Sequence, residues 1–182
     1  MPNYKITIQY DGTDFFGWQS QPDGNTVQDN LLKVISQITQ EKVNLIGSGR
    51  TDSGVHALGQ VANFRIMNKF DEYKFLHALN SLTPSTISVS DIKLVDDEFH
   101  SRFDAKKRSY IYLTSKKNSP FLDKFSYKYP YANKIRINNL KKISTALIGK
   151  HDFTSFCKTK TDTENKICNI YNISWRVSVC FN

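Results

Sequence analysis

The chain has 182 residues, enough for one large domain or two small ones around a buried core. Hydrophobic residues make up 39% and charged residues 23%, an ordinary balance for a soluble globular protein. No run of 18 or more apolar residues occurs and the opening MPNYKITIQYDG has no apolar signal core, so a membrane-spanning or secreted protein is not expected and the cytoplasm is the expected location. Cys157, Cys168 and Cys180 are odd in number and lack C-x-x-C spacing, and the four histidines are scattered. Neither a disulfide framework nor a metal site is expected.

The net charge of +8 is unevenly placed. Residues 1–100 carry 8 Lys/Arg against 12 Asp/Glu, whereas residues 101–182 carry 17 against 5. A basic half beside an acidic one suits a polyanion that docks mainly on the second half. Base composition of the gene would also enrich Lys, so the charge only supports that reading.

Tyr4 to Tyr10 alternates at period two and predicts a strand with one buried face. The loop that follows, to Asn25, carries Phe15, Phe16 and Trp18 as aromatics expected at the surface. Thr26 is the expected N-cap of a helix whose inward stripe is Val27, Leu31, Val34, Ile35 and Ile38. Short strands are expected at 43–46 and 59–66, on either side of the stretch IGSGRTDSGVHA (46–57). Asp71 caps a second helix to about Leu82, with Leu76 and Leu79 inward and Pro84 beyond it. Ile87 to Leu94 is a fourth strand. This β-α-β-β-α-β order is that of a ferredoxin-like unit.

The second half begins the same plan again. Ser109 to Thr114 predicts a strand, a Lys/Tyr-rich connection runs through Tyr131, and Asn138 or Asn139 caps a helix with Leu140, Ile143 and Leu147 inward. Gly149 stops that helix, and the tract 167–181 supplies one or two strands. The expected boundary falls at 104/105. No low-complexity linker separates the halves, so one continuous sheet is expected.

The stretch 46–57 holds the densest chemistry. Gly47, Gly49 and Gly54 surround Arg50, Thr51 and Asp52, so the backbone is free to present a guanidinium and a carboxylate to a cleft. By composition alone such a cluster is a turn. It is no phosphate loop: G-x-x-x-x-G-K-[ST] is absent, and Asp52 stands where a dinucleotide fingerprint needs Gly.

GRTDSGVHA (49–57) resembles the signature of the tRNA pseudouridine synthase A family. Further motifs match in the family's order: Tyr10-Asp11-Gly12-Thr13, Phe16-Gly17-Trp18-Gln19, Phe99-His100-Ser101-Arg102-Phe103, Arg108-Ser109-Tyr110-Ile111-Tyr112 and Asp152-Phe153-Thr154-Ser155-Phe156. The resemblance implies an α+β fold of two ferredoxin-like units sharing a largely antiparallel sheet, with the active cleft between them. Family members continue beyond the last strand with a segment that carries a basic residue facing the catalytic carboxylate. This chain stops at Asn182, so the second unit is expected to be incomplete.

The implied activity is isomerisation of uridine to pseudouridine at positions 38–40 of the tRNA anticodon arm, by a homodimer and without a cofactor. Asp52 is the implied nucleophile. Arg50 enters the RNA stack where the base has left, and Tyr110 packs on the target uracil. A phenol with a pKa near 10 suits stacking better than proton transfer at neutral pH. Phe16, Trp18 and Gln19 are candidates to line the RNA path, Trp18 being equally suited to a buried cluster. Arg102, Lys106, Lys107 and Arg108 are candidate phosphate contacts. His56 is read as structural, because nothing in the route requires an imidazole. The alternatives are a non-catalytic tRNA-binding protein and, further off, an unrelated nucleotide binder.

Overall fold

Period-two alternation in the first ten residues produces β1 (Asn3–Tyr10), which turns Tyr4, Ile6, Ile8 and Tyr10 into the core. The computed structural model describes residues 1–22, 24–157 and 165–177, which fall into two compact units, Met1–Tyr110 and Ile111–Asn182. In the first, β1 is followed by α1 (Val27–Thr39), β2 (Leu45–Gly47), β3 (Ala57–Arg65), α2 (Glu72–Leu82) and β4 (Ile87–Val95). The strands form one antiparallel sheet in the order β2-β3-β1-β4. Central Ile6 stands opposite Ala62 on one side and Ile92 on the other, all three buried.

Both helices begin where their caps dictate. Thr26 Oγ1 accepts the Asp29 N–H at 3.1 Å and donates to the Asp29 carboxylate at 2.6 Å, and Asp71 Oδ1 accepts the Lys74 N–H at 3.0 Å. Such caps satisfy amides that the first turn leaves without partners. Val27, Leu31, Val34 and Ile35 of α1 join the inward side chains of the sheet, as do Phe75 and Leu79 of α2. Leu76 is only partly buried and Phe75 takes the inward place expected for it. Each fully buried side chain of this size contributes roughly 1.5–3 kcal/mol. A stack of Tyr4 on Phe70 and Phe70 on Phe75, both with centroids 4.0 Å apart, closes one end of the core.

The other face of the sheet carries a buried polar knot. Asn63 Oδ1 accepts from Ser101 N at 2.9 Å and Ser101 Oγ at 2.7 Å, and Asn63 Nδ2 donates to Asn3 Oδ1 at 3.0 Å. Asn3 Nδ2 in turn donates to the carbonyls of Asp96 and Phe99. The segment after β4 is thereby fastened across the sheet, which is the structural purpose of the serine in Phe99-His100-Ser101-Arg102-Phe103.

The second unit contains β5 (Thr114–Ser115), β6 (Tyr127–Lys128), α3 (Ile137–Leu147), β7 (Gly149–Asp152) and β8 (Ile167–Ile170). β5 pairs with β6 in parallel and β7 with β8 in antiparallel, so the described strands make three separate sheets where one continuous sheet was expected. The strand expected at Ser109–Thr114 does not form. Tyr110, Ile111, Tyr112 and Leu113 are all exposed, and ladder pairing begins only at Thr114.

Helix α3 starts after Arg136, without a side-chain cap from Asn138 or Asn139. Ile143 is 60% exposed, and Ser144 takes the inward place, accepting the Trp175 indole N–H at 2.7 Å. Helical spacing permits either neighbour, and the indole decides. Gly149, at φ +110°, turns the chain directly into β7, as its place after the helix predicts. The Asp152 carboxyl accepts from the Thr154 hydroxyl and amide, which holds it below the ordinary 3.8. The strand expected over 167–181 is formed at Ile167–Ile170, and residues 178–182, including Cys180, lie outside the described residues. Cys157 and Cys168 are exposed free thiols. No helix among the described residues is long and apolar enough to cross a membrane.

Candidate active site

Residues 48–56 form the loop of the β2–β3 hairpin, and nearly every part of it is tied down. The Ser48 N–H donates to Val61 O at 2.8 Å, and the Ser48 hydroxyl to Gln60 Oε1 at 2.8 Å. Gln60 Nε2 donates to Gly49 O at 2.6 Å. Further along, Thr51 O accepts the Trp18 N–H at 3.1 Å, and Phe15 O accepts from both Gly54 N and Ser53 Oγ at 3.2 Å. The loop after β1 is thus the clamp that holds the hairpin loop. This is what the two early motifs, residues 10–13 and 16–19, do.

Two buried or half-buried side chains complete the clamp. The Tyr10 hydroxyl meets Thr51 Oγ1 at 2.9 Å. A register shift between Ile8 and Tyr10 against β3 leaves Tyr10 inward and opposite Ala57, at the foot of the loop. His56 Nδ1 accepts the Gly12 N–H at 3.1 Å and lies 3.1 Å from Asp11 Oδ1. One ring nitrogen cannot accept from the amide and donate to the carboxylate together, so a bare Nδ1 serves Gly12 and an Nδ1–H serves Asp11. Either contact ties His56 to the loop after β1.

The glycines act mainly through the side chain they lack. Gly54 takes a positive φ, whereas Gly47 does not; a Cβ on Gly47 would fall 2.5–2.8 Å from three atoms of the Trp18 indole. Gly17 has both needs, with φ +92° and its missing Cβ directed at the Thr51 carbonyl. Trp18 is consequently 2% exposed, tilted against Tyr10 at 6.1 Å, and has no face to offer an RNA base. Phe15 is buried too, at 5%. Of the three aromatics expected at the surface only Phe16, at 52%, is there.

Above this clamp lies a hollow of about 580 Å³ lined by Phe16, Gln19, Gln21, Arg50, Thr51, Asp52 and Ser53. Arg50 and Asp52 are exposed into it, on a backbone that is fixed beneath them. The structure therefore brings together Asp52, Arg50, Phe16 and Gln19 from the sequence candidates. Tyr110 is 87% exposed and is not part of this lining. Arg102 sits over the Phe103 ring, 5.9 Å from its centroid, and Lys106 and Lys107 are exposed. Arg108 is exposed with its Nη2 donating to Ser48 O at 2.6 Å.

Sequence reasoning missed Gln21, Gln60 and Tyr10. Gln21 has no local signal. Gln60 and Tyr10 each place a polar group within reach of a glycine-rich loop, which a paired-strand reading could have flagged. Among the described residues no three His, Cys, Asp or Glu side chains are grouped as metal ligands.

Asp52 and Arg50 thus line one open hollow together with the exposed Phe16, above a hairpin loop that the segment after β1 holds in place. The tRNA pseudouridine synthase family matches residues 6–104 and 143–180. The chain is 43% identical over 174 residues to tRNA pseudouridine synthase A of Caldicellulosiruptor saccharolyticus, covering 94% of this chain and 70% of that one. It is 39% identical over 173 residues to tRNA pseudouridine synthase A of Bacillus subtilis, with the same coverage. With the protein of that name from Thermoanaerobacter pseudethanolicus it shares 40% over 174 residues, 96% of this chain and 71% of that one. The chain belongs to the tRNA pseudouridine synthase family. Its hairpin loop lies inside the first matched segment, and Tyr110 lies between the two.

Proposed function

We propose that this chain isomerises uridine to pseudouridine in tRNA, at positions 38–40 of the anticodon arm, with Asp52 as the nucleophile. The observation that carries the reading is the hollow into which Arg50, Thr51 and Asp52 project from a braced loop. The N1–C1′ bond breaks while the carboxylate covers C1′ or adds to the ring, the base turns, and C5 bonds to C1′. The C5 proton leaves to solvent and N1 gains one, so the reaction balances without a cofactor or group donor.

In this reading Arg50 fills the stack vacated by the extruded base, offsetting part of an unstacking cost of a few kcal/mol. Phe16 and Gln19 line the RNA path, Tyr110 packs on the uracil, and Arg102, Lys106 and Lys107 hold phosphates. The site works in the cytoplasm, in a homodimer. The fold that accompanies it is a pair of ferredoxin-like units, residues 1–104 and 105–182. The strand order β2-β3-β1-β4 supports this for the first, and α3 with the β7–β8 pair supplies part of the second.

Release of tritium from tRNA carrying uridine labelled at C5 tests the proposal. The wild-type chain is expected to release it, and Asp52→Asn to bind tRNA with near-normal affinity and release none. The second reading is a tRNA-binding protein without turnover, which the exposed Arg50 and Phe16 of the same lining would serve by gripping RNA. Binding without tritium release by the wild-type chain would establish that reading and end the first.

A further inference from the structure

We infer that Arg108 is a positioning residue for the Arg50-Thr51-Asp52 loop and not a phosphate contact, an inference that rests on the reading of Asp52 as nucleophile. In the sequence Arg108 closes a basic run with Lys106 and Lys107, and nothing local separates the three. The structure separates them. Arg108 Nη2 donates to the Ser48 carbonyl at 2.6 Å, across 60 residues of chain. Its Nε lies 3.3 Å from where a Cβ on Gly49 would stand, so the guanidinium rests against backbone that has no side chain to fend it off.

The neighbouring hydrogen bonds give this contact its purpose. The carbonyls of Ser48 and Gly49, the two residues before Arg50, are each held by a distant side chain: Arg108 holds the first and Gln60 Nε2 the second, also at 2.6 Å. On the far side Thr51 O is held by Trp18 N, and Thr51 Oγ1 by the Tyr10 hydroxyl. Arg50 and Asp52 therefore project from a backbone pinned on both flanks. Arg108 is the pin that comes from the segment carrying Tyr110, two residues on. It ties that segment to the loop of Asp52 within one compact unit, Met1–Tyr110. A charge-assisted bond to a carbonyl also fixes direction, because the guanidinium fork is planar.

The two roles predict different measurements on the full chain. In Arg108→Gln, the single-turnover rate at saturating tRNA should fall about 100-fold, the scale of a 1 Å misplacement of reacting groups. The tRNA affinity and its salt slope should hold. Arg108→Lys should recover part of the rate, since an ammonium still reaches the carbonyl. Gly49→Ala, which sets a methyl group against Nε, should lower the rate in the same direction. In the tRNA-free protein, amides 49–53 should exchange hydrogen faster in Arg108→Gln while those of β1 and β3 stay protected.

An unchanged rate at saturation, with a log K against log salt slope shallower by about 0.7–0.9, would make Arg108 a phosphate contact and overturn the inference. Unchanged exchange at 49–53 would overturn it as well. A wild-type chain that binds tRNA and releases no tritium would defeat the functional reading instead. Hydrogen exchange would then decide the brace alone.

Discussion

The Tyr10 hydroxyl and Thr51 Oγ1 lie 2.9 Å apart, joining the innermost side chain at the end of β1 to the residue immediately before Asp52. The bond spans 41 residues and passes beneath the hairpin loop. Burial pushes the Tyr10 phenol above its ordinary 10.0, and the Thr51 hydrogen bond pulls it partly back.

Tyr10→Phe should therefore destabilise the fold by about 1 kcal/mol, the net worth of one hydrogen bond, and slow tritium release more than it weakens tRNA binding. The folded state holds the phenolic proton more tightly than the unfolded chain does. The Tyr10 contribution is thus complete below pH 10 and is lost as the pH rises through the folded pKa. Urea denaturation between pH 9 and about 11 should show that decline in the wild type and a smaller one in Tyr10→Phe. Equal slopes would remove Tyr10 from the alkaline response.

Gly47→Ala forces a methyl group to within 2.5–2.8 Å of the Trp18 indole. The indole is packed on Tyr10 and cannot withdraw freely. A loss of about 1–3 kcal/mol is expected, the usual cost of overpacking a core, with the emission of Trp18 shifted as its ring moves. Gly54→Ala meets nothing within 4 Å and pays only for its φ of +77°. Denaturation of the two variants side by side checks the order; a Gly47 variant as stable as the wild type would contradict the packing described.

Asn63→Ala would leave the buried amide and hydroxyl of Ser101 without their acceptor. Each orphaned buried donor costs about 1–3 kcal/mol. The effect should be local as well as global, with proteolysis opening the chain near residues 96–101 first. Cleavage that begins in the hairpin loop instead would show that the polar knot does not secure this segment.

Lys106→Glu with Lys107→Glu should weaken tRNA binding and flatten its dependence on salt, because fewer counterions are released when fewer phosphates are met. The rate at saturating tRNA should change little. Filter binding at several salt concentrations reads both quantities, and an unaltered slope would confine these side chains to solvent.

The first unit was legible in the sequence wherever a period or a cap spoke locally. Tyr4, Ile6, Ile8 and Tyr10 alternate, Val27, Leu31, Val34 and Ile35 recur at helical spacing, and Thr26 and Asp71 stand at the caps. Each signal works through neighbours a few residues away, so one-dimensional reading finds it. The second half offered the same patterns with a poorer result. Ile143 and Ser144 both fit the inward stripe of α3, and of the strand expected at Ser109–Thr114 only Thr114 enters a ladder.

By itself the sequence determined the β-α-β-β-α-β order, the family, and the loop in which Arg50 and Asp52 would stand. Only the tertiary structure decided that Trp18 goes inward while Phe16 stays out, and that Arg108 of the basic run turns to Ser48. Those choices depend on surfaces that meet across 29 to 60 residues: Gly47 leaves room for one indole, and the Ser48 carbonyl needs one donor. A loop has no period to announce such partners, so they exist only once the strands have brought the two loops together.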